Sequence, residues 1–143
     1  MTEALKEAAA ILGLKKEKVA TTLDFLPFIR HGLPTKTVES VARRLELSPL
    51  ATVESLGFAK RTWARRVQKG ELLSPEESER LVRLARVLAI ATEVFGDRDR
   101  ARSWLLTQNR ALGGSVPVRM LDTGIGTSVV LDELGRIEHG VYG

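Results

Sequence analysis

"SPLATVESLGFAKRTWARRVQKG", residues 48 to 70, decides how the rest of the chain is read. Ser48 is a good helix cap and Pro49 suits a first helical turn, so a short helix is expected from about Pro49 to Leu56. Gly57 supplies a left-handed residue after it, and "KRTWARRVQK" makes a second helix from about Lys60 to Lys69, stopped by Gly70. Two short helices joined by a glycine-containing turn are the signature of a helix-turn-helix. Trp63 and Val67 lie one turn apart and are expected to face a small core. Lys60, Arg61, Thr62, Arg65, Arg66 and Lys69 are then left as the candidate DNA-binding set, facing a major groove and its flanking phosphates. An arginine bonds a guanine edge bidentately, whereas a phosphate contact positions the protein without specifying sequence. An ordinary basic surface helix satisfies the same pattern.

Charge favours the nucleic-acid reading. Between Arg30 and Gly70 there are nine Lys/Arg against three Asp/Glu, while the stretches on either side are balanced or slightly acidic. A basic module set in an otherwise balanced chain is what a DNA-binding unit attached to another domain looks like.

Working upstream, Val38, Val41, Ala42 and Leu45 recur at helical spacing and place a helix from about Thr35 to Leu45. Before it, "LDFLPFIRHGLP" reads as a helix or turn ending at Gly32, with His31 structural, and "EALKEAAAILGL" as a short amphipathic helix. Downstream, Ser74, Pro75 and Glu77 form a capping box at the start of a long helix, whose apolar stripe runs through Leu81, Leu84, Ala85, Leu88 and Ala91. Asp97 caps a further helix with Ala101, Trp104 and Leu105 inward. The texture then changes to Gly113, Gly114, Pro117, a short apolar piece, a turn at "DTGIG" and a final helix through Val129, Val130, Leu134 and Ile137. The expected fold class is all-α, with an N-terminal helix-turn-helix domain followed by a small helical domain.

At 143 residues and 43% hydrophobic, the chain has enough apolar surface for real cores. It lacks cysteine, a signal-peptide pattern and any apolar run of the roughly 20 residues that span a bilayer, so a cytoplasmic protein without disulfides is expected. His31 and His139 are its only histidines, and no metal-ligand cluster, Walker loop or Rossmann loop is present. Catalysis, a metal and a cofactor are therefore not expected.

"WLLTQNRALGGSVPVRMLDTGIGTSVVLDELGRIEHGVYG", taken with the helix-turn-helix and the long helix after it, resembles the Xre/MbcA/ParS family of antitoxins from about Gly32 onward. The resemblance rests on Trp104, Asn109-x-Ala-Leu-x-Gly, Pro117, Leu121-Asp-Thr, Gly126 and Arg136-Ile-x-x-Gly. It implies an Xre-like helix-turn-helix domain over 32–95 and a toxin-binding domain over 96–143, with 1–31 as an N-terminal helical extension. It also implies neutralisation of a RES-domain toxin that consumes NAD, by a C-terminal segment covering the toxin's active site. Autorepression through operator DNA is implied as well, with a homodimer expected because two-fold operators pair with two-fold proteins.

The tail "RIEHGVYG" places Ile137, Val141 and Tyr142 where a solvated terminus is usually polar, so either the protein's own core or a partner should bury them. On the resemblance, the candidate toxin-binding set is Asn109, Arg136, Ile137, Glu138, His139, Val141, Tyr142 and Gly143. Glu138, the Tyr142 ring and the carboxylate of Gly143 would partly mimic the toxin's substrate, with Arg136 and His139 at the rim. Ala59 and Lys60 stand where the family often has Ser-Pro, so the side-chain bond that would cap the recognition helix is missing. The competing reading is a free-standing transcriptional regulator whose C-terminal domain only dimerises.

Overall fold

The computed structural model describes residues 2–140, and no β-strand forms among them; Asn109 and Ser115 make one isolated bridge. Eight α-helices follow in order: α1 (Thr2–Ile11), α2 (Phe25–His31), α3 (Lys36–Leu45), α4 (Pro49–Ser55), α5 (Lys60–Lys69), α6 (Pro75–Phe95), α7 (Arg98–Leu106) and α8 (Gly124–Glu138). Short 3-10 turns at Lys16–Lys18, Thr22–Asp24, Arg110–Leu112 and Pro117–Asp122 fill the connections.

The long helix α6 is the spine, because its apolar residues face more than one side. Leu81, Leu84, Ala85, Leu88 and Ala91 are buried as expected, and Val82, Val87 and Ala89 are buried beside them. With so broad a stripe α6 packs against α1, α2, α7 and α8, and each fully buried leucine contributes about 2 kcal/mol. Its start is fixed twice over: the Ser74 hydroxyl accepts from the Glu77 N–H at 3.1 Å, and the Glu77 carboxylate accepts from the Ser74 N–H at 2.8 Å.

The helix-turn-helix is tied to this spine through the segments that flank it. The Leu33 N–H donates to the buried Ser78 hydroxyl on α6 at 2.9 Å, and the Leu73 N–H donates to the Leu33 carbonyl at 2.8 Å. The backbones approach so closely here that a Cβ on Gly32 would lie 2.4 Å from the Leu73 oxygen, and Gly32 has φ +98°. Only glycine meets both requirements.

Two expectations are corrected. The spacing points Val67 inward with Trp63, yet Val67 is 52% exposed while Trp63 is buried. α5 is rolled so that Trp63 and Arg66, three residues apart, point inward, because Arg66 reaches across to the capping box of α6. The "DTGIG" stretch is no separate turn but the junction into α8: Asp122 ends the preceding 3-10 turn, the Thr123 hydroxyl accepts from the Gly126 N–H at 3.0 Å as the cap, and Gly124 begins the helix. A Cβ at Gly126 would stand 2.0 Å from the Met120 carbonyl oxygen, so glycine is what lets α8 begin against the preceding 3-10 turn.

Candidate functional site

The start of α5 is held without a side-chain cap. Ala59 occupies the cap position and makes no such bond, as its methyl group dictates. Phe58 and Trp63 occupy the two positions of a hydrophobic staple, and both are buried in the core. The Phe58…Trp63 spacing is the signal in the sequence for this start, one that polar caps alone do not reveal.

The cations of α5 divide into two groups. The Arg66 guanidinium is only 16% exposed: its Nε sits 2.7 Å from Glu77 Oε1, not aligned as a hydrogen bond, and its Nη1 donates to the Leu72 carbonyl at 3.2 Å and to Glu71 at 3.4 Å. Arg65 donates to the same Glu71 carboxylate at 3.2 Å, at the surface. Arg66 is thus a strut from α5 to α6. Lys60, Arg61 and Lys69 are exposed and form no ion pair among the described residues, and Thr62 is half-buried between them. The surface α5 offers to a groove is therefore Lys60, Arg61 and Lys69, with Arg65 at its edge.

In the C-terminal part Leu112, Pro117 and Leu121 of the motif are buried, Asn109 and Gly126 are half-buried, and Ala111, Gly114, Asp122 and Thr123 are exposed. Asn109 organises a tight loop: its Oδ1 accepts from the Ala111 N–H at 2.8 Å, its own N–H donates to the Ser115 carbonyl at 3.0 Å, and its carbonyl accepts from Gly114 at 2.8 Å. Asn109 also borders an open groove of about 340 Å³ shared with Phe95, Arg100 and Trp104. Within that groove the Phe95 and Trp104 rings lie 6.0 Å apart, and the Arg100 guanidinium sits 5.6 Å from the centre of the Phe95 ring. Arg83 donates to the Leu121 carbonyl at 2.7 Å, fastening this segment to α6.

The described part of the predicted tail, Arg136 to Gly140, closes α8 and the turn after it. Arg136 is exposed and lies 3.4 Å from the buried Glu133 carboxylate; Ile137 is half-buried; Glu138 and His139 are exposed. Val141, Tyr142 and Gly143 lie outside the described residues. On the same helix Ile125 is 81% exposed and Val129 37% exposed, one turn apart, with Asp132 and Arg136 continuing that face. Val129, expected in the apolar stripe of α8, instead looks out, because Val130 and Leu134 fill the inner side. Ile125 falls outside the stripe that helical spacing picks out.

No group of His, Asp and Glu suited to a metal ion is found among the described residues. No helix among them is long and apolar enough to cross a membrane.

Two family profiles match the chain: "Antitoxin Xre-like helix-turn-helix domain" over residues 24–86 and "Antitoxin Xre/MbcA/ParS C-terminal toxin-binding domain" over residues 91–140. "Antitoxin Xre" of Yersinia enterocolitica is 32% identical over 80% of this chain and 78% of its own length. The chain belongs to the Xre/MbcA/ParS family of antitoxins. "Antitoxin Xre" of Pseudomonas putida is 37% identical over 88% of this chain and 77% of its own length. A "Prs ADP-ribosylating antitoxin" of a Sphingobium species is 26% identical over 86% and 83%. Membership decides between the two readings of the sequence: the chain is a type II antitoxin with a helix-turn-helix, in a family of neutralising proteins and not of enzymes.

Proposed function

We propose that this antitoxin neutralises a RES-domain toxin that consumes NAD, by laying its C-terminal segment over the toxin's active-site cleft. The observation that carries this reading is the outer face of α8, where Ile125 and Val129 stand in solvent on a helix leading directly to Glu138 and His139. Exposed apolar residues in one row, followed by charged ones, suit a partner surface better than solvent. The Sphingobium relative, whose name couples an antitoxin with ADP-ribosylation, supports the toxin class, since that chemistry consumes NAD. In this reading Arg136, Ile137, Glu138, His139, Val141, Tyr142 and Gly143 touch the toxin, with Glu138 and Tyr142 as partial substrate mimics. Asn109 acts by shaping the loop beside Trp104.

The same antitoxin is proposed to repress its own operon as a homodimer, α5 presenting Lys60, Arg61 and Lys69 to operator DNA with Arg65 and Thr62 beside them. Arg66 holds that helix in place. Residues 32–95 then serve DNA and 96–143 the toxin, with 1–31 as the extension, whose helices α1 and α2 pack on α6.

Co-expression with a RES-domain toxin, taken from the neighbouring gene where that gene encodes one, tests the first part, with cellular NAD and growth as readouts. The intact chain should preserve NAD; a chain cut before Ile137, or carrying Glu138→Ala with Tyr142→Ala, should not. Full protection by the truncated chain would sink the tail mechanism. Arg61→Glu with Lys69→Glu should abolish operator binding and leave neutralisation intact.

A further inference from the structure

The cations outside α5 also divide into paired and unpaired. Arg44 lies 2.7 Å from Glu7 and Arg102 2.6 Å from Glu46, so these arginines meet acids of their own surface. Lys15, Lys18, Lys36 and Arg43 form no ion pair among the described residues, and none of the four is buried. They come from separate places in the sequence, yet all line one groove of about 610 Å³ between the segment after α1, the end of α2 and the start of α3. Glu39 and His31 are the other titratable groups lining it, so four cations face one carboxylate. α3 begins at this groove with Lys36, and Thr35 gives it no side-chain cap, so the positive end of a ten-residue helix adds to the same potential.

The groove is joined to the end of α5. Gly32, Leu33 and Pro34 form part of its wall, and the Leu73 N–H donates to the Leu33 carbonyl. Leu73 follows Leu72, whose carbonyl holds Arg66. One backbone link therefore separates the basic groove from the segment that ends the recognition helix.

We propose that this groove binds the phosphate backbone of duplex DNA, as a sequence-independent contact beside the segment read by α5; the inference rests on the DNA-binding reading above. Flexible ammonium groups suit phosphates, whose positions they satisfy without the fixed geometry that base edges demand. With one acid against four cations among its charges, the groove suits an anionic backbone.

The test uses the full chain in complex with its toxin and two duplexes of equal length, its own promoter and an unrelated sequence. Lys15→Ala, Lys18→Ala and Lys36→Ala together should weaken binding to both duplexes by the same factor, on the order of tenfold near physiological salt. The slope of log affinity against log salt should fall by about 2 to 3. Melting temperature and toxin neutralisation should stay as in the wild type. An unchanged slope in the triple variant, with Arg61→Glu and Lys69→Glu still abolishing promoter binding, overturns the groove and leaves the role of α5 standing. A wild-type complex that binds neither duplex overturns both. An unchanged slope with weakened toxin binding would assign the groove to an acidic protein surface and overturn the proposal too.

Discussion

On α5 the residues that mark the helix-turn-helix, Arg61, Arg65 and Lys69, stand at the surface, whereas between Asn109 and Gly126 the residues that mark the toxin-binding domain are used largely by the fold itself, Leu112, Pro117 and Leu121 through burial and Asn109, Thr123 and Gly126 through backbone bonds and close approach. Asn109 bonds four backbone groups, those of Ala111, Leu112, Gly114 and Ser115, while Leu121 is fully buried, Thr123 caps α8 and Gly126 makes room for a carbonyl. The more specific signature thus lies largely in bonds and packing within the fold, and the looser one in exposed cations. Recognition of a family and location of its interface are therefore separate inferences.

The sharpest way to break that contrast is at Gly126. Gly126→Ala places a Cβ 2.0 Å from the Met120 carbonyl oxygen, a backbone atom that cannot swing aside. The gain in helix propensity, about 1 kcal/mol, is outweighed by strain of about 3 kcal/mol or more. Gly135, on the same helix, has open space where an alanine methyl would stand, with nothing within 4 Å, so Gly135→Ala should stabilise by about 0.5 to 1 kcal/mol. Chemical denaturation of the two variants decides the matter. Equal stability for both would mean that the glycine of the signature is not structural.

A smaller effect separates the two kinds of arginine on α5. Arg66→Ala leaves the half-enclosed Glu77 carboxylate with its capping bond alone, and about 1 to 2 kcal/mol should be lost. Arg61 is exposed and unpaired among the described residues, so Arg61→Ala should change stability by less than about 0.5 kcal/mol while weakening operator binding. A large drop in melting temperature for Arg61→Ala would place it in the scaffold with Arg66.

These variants also show why some of the molecule is legible in the sequence and some is not. Helix positions follow from periodicity and caps because both are local: the Ser74 box, the Asp97 cap and the stripe on α6 stand where spacing puts them. Val67 departs from its expected place because the roll of α5 is set by Arg66 meeting Glu77, eleven positions on, and no periodicity within α5 contains that information. The basic groove joins Lys15 and Lys18 with Lys36 and Arg43 only after α1 and α3 pack, so composition shows basic charge without showing its place.

The smallest expected effect lies at the entrance to α2, where structure again rests on a polar side chain. Asp24 accepts from the Thr21 N–H at 2.9 Å and from the Ala20 N–H at 2.8 Å, and these bonds, Thr21's the stronger, hold its carboxyl below the ordinary 3.8. A carboxyl lowered on folding stabilises the native state fully above its unfolded value, and that contribution disappears as pH falls through the folded one. Solvent screens the group, so the change in stability should be slight and the titration itself is the better readout. An NMR titration should show Asp24 protonating below an ordinary aspartate, with the Ala20 and Thr21 amide signals moving in step. An Asp24 that titrates normally would mean that the Thr22–Asp24 turn is held by packing around Phe25 alone, leaving α2 with no polar lock of the kind that fixes α6 and α8.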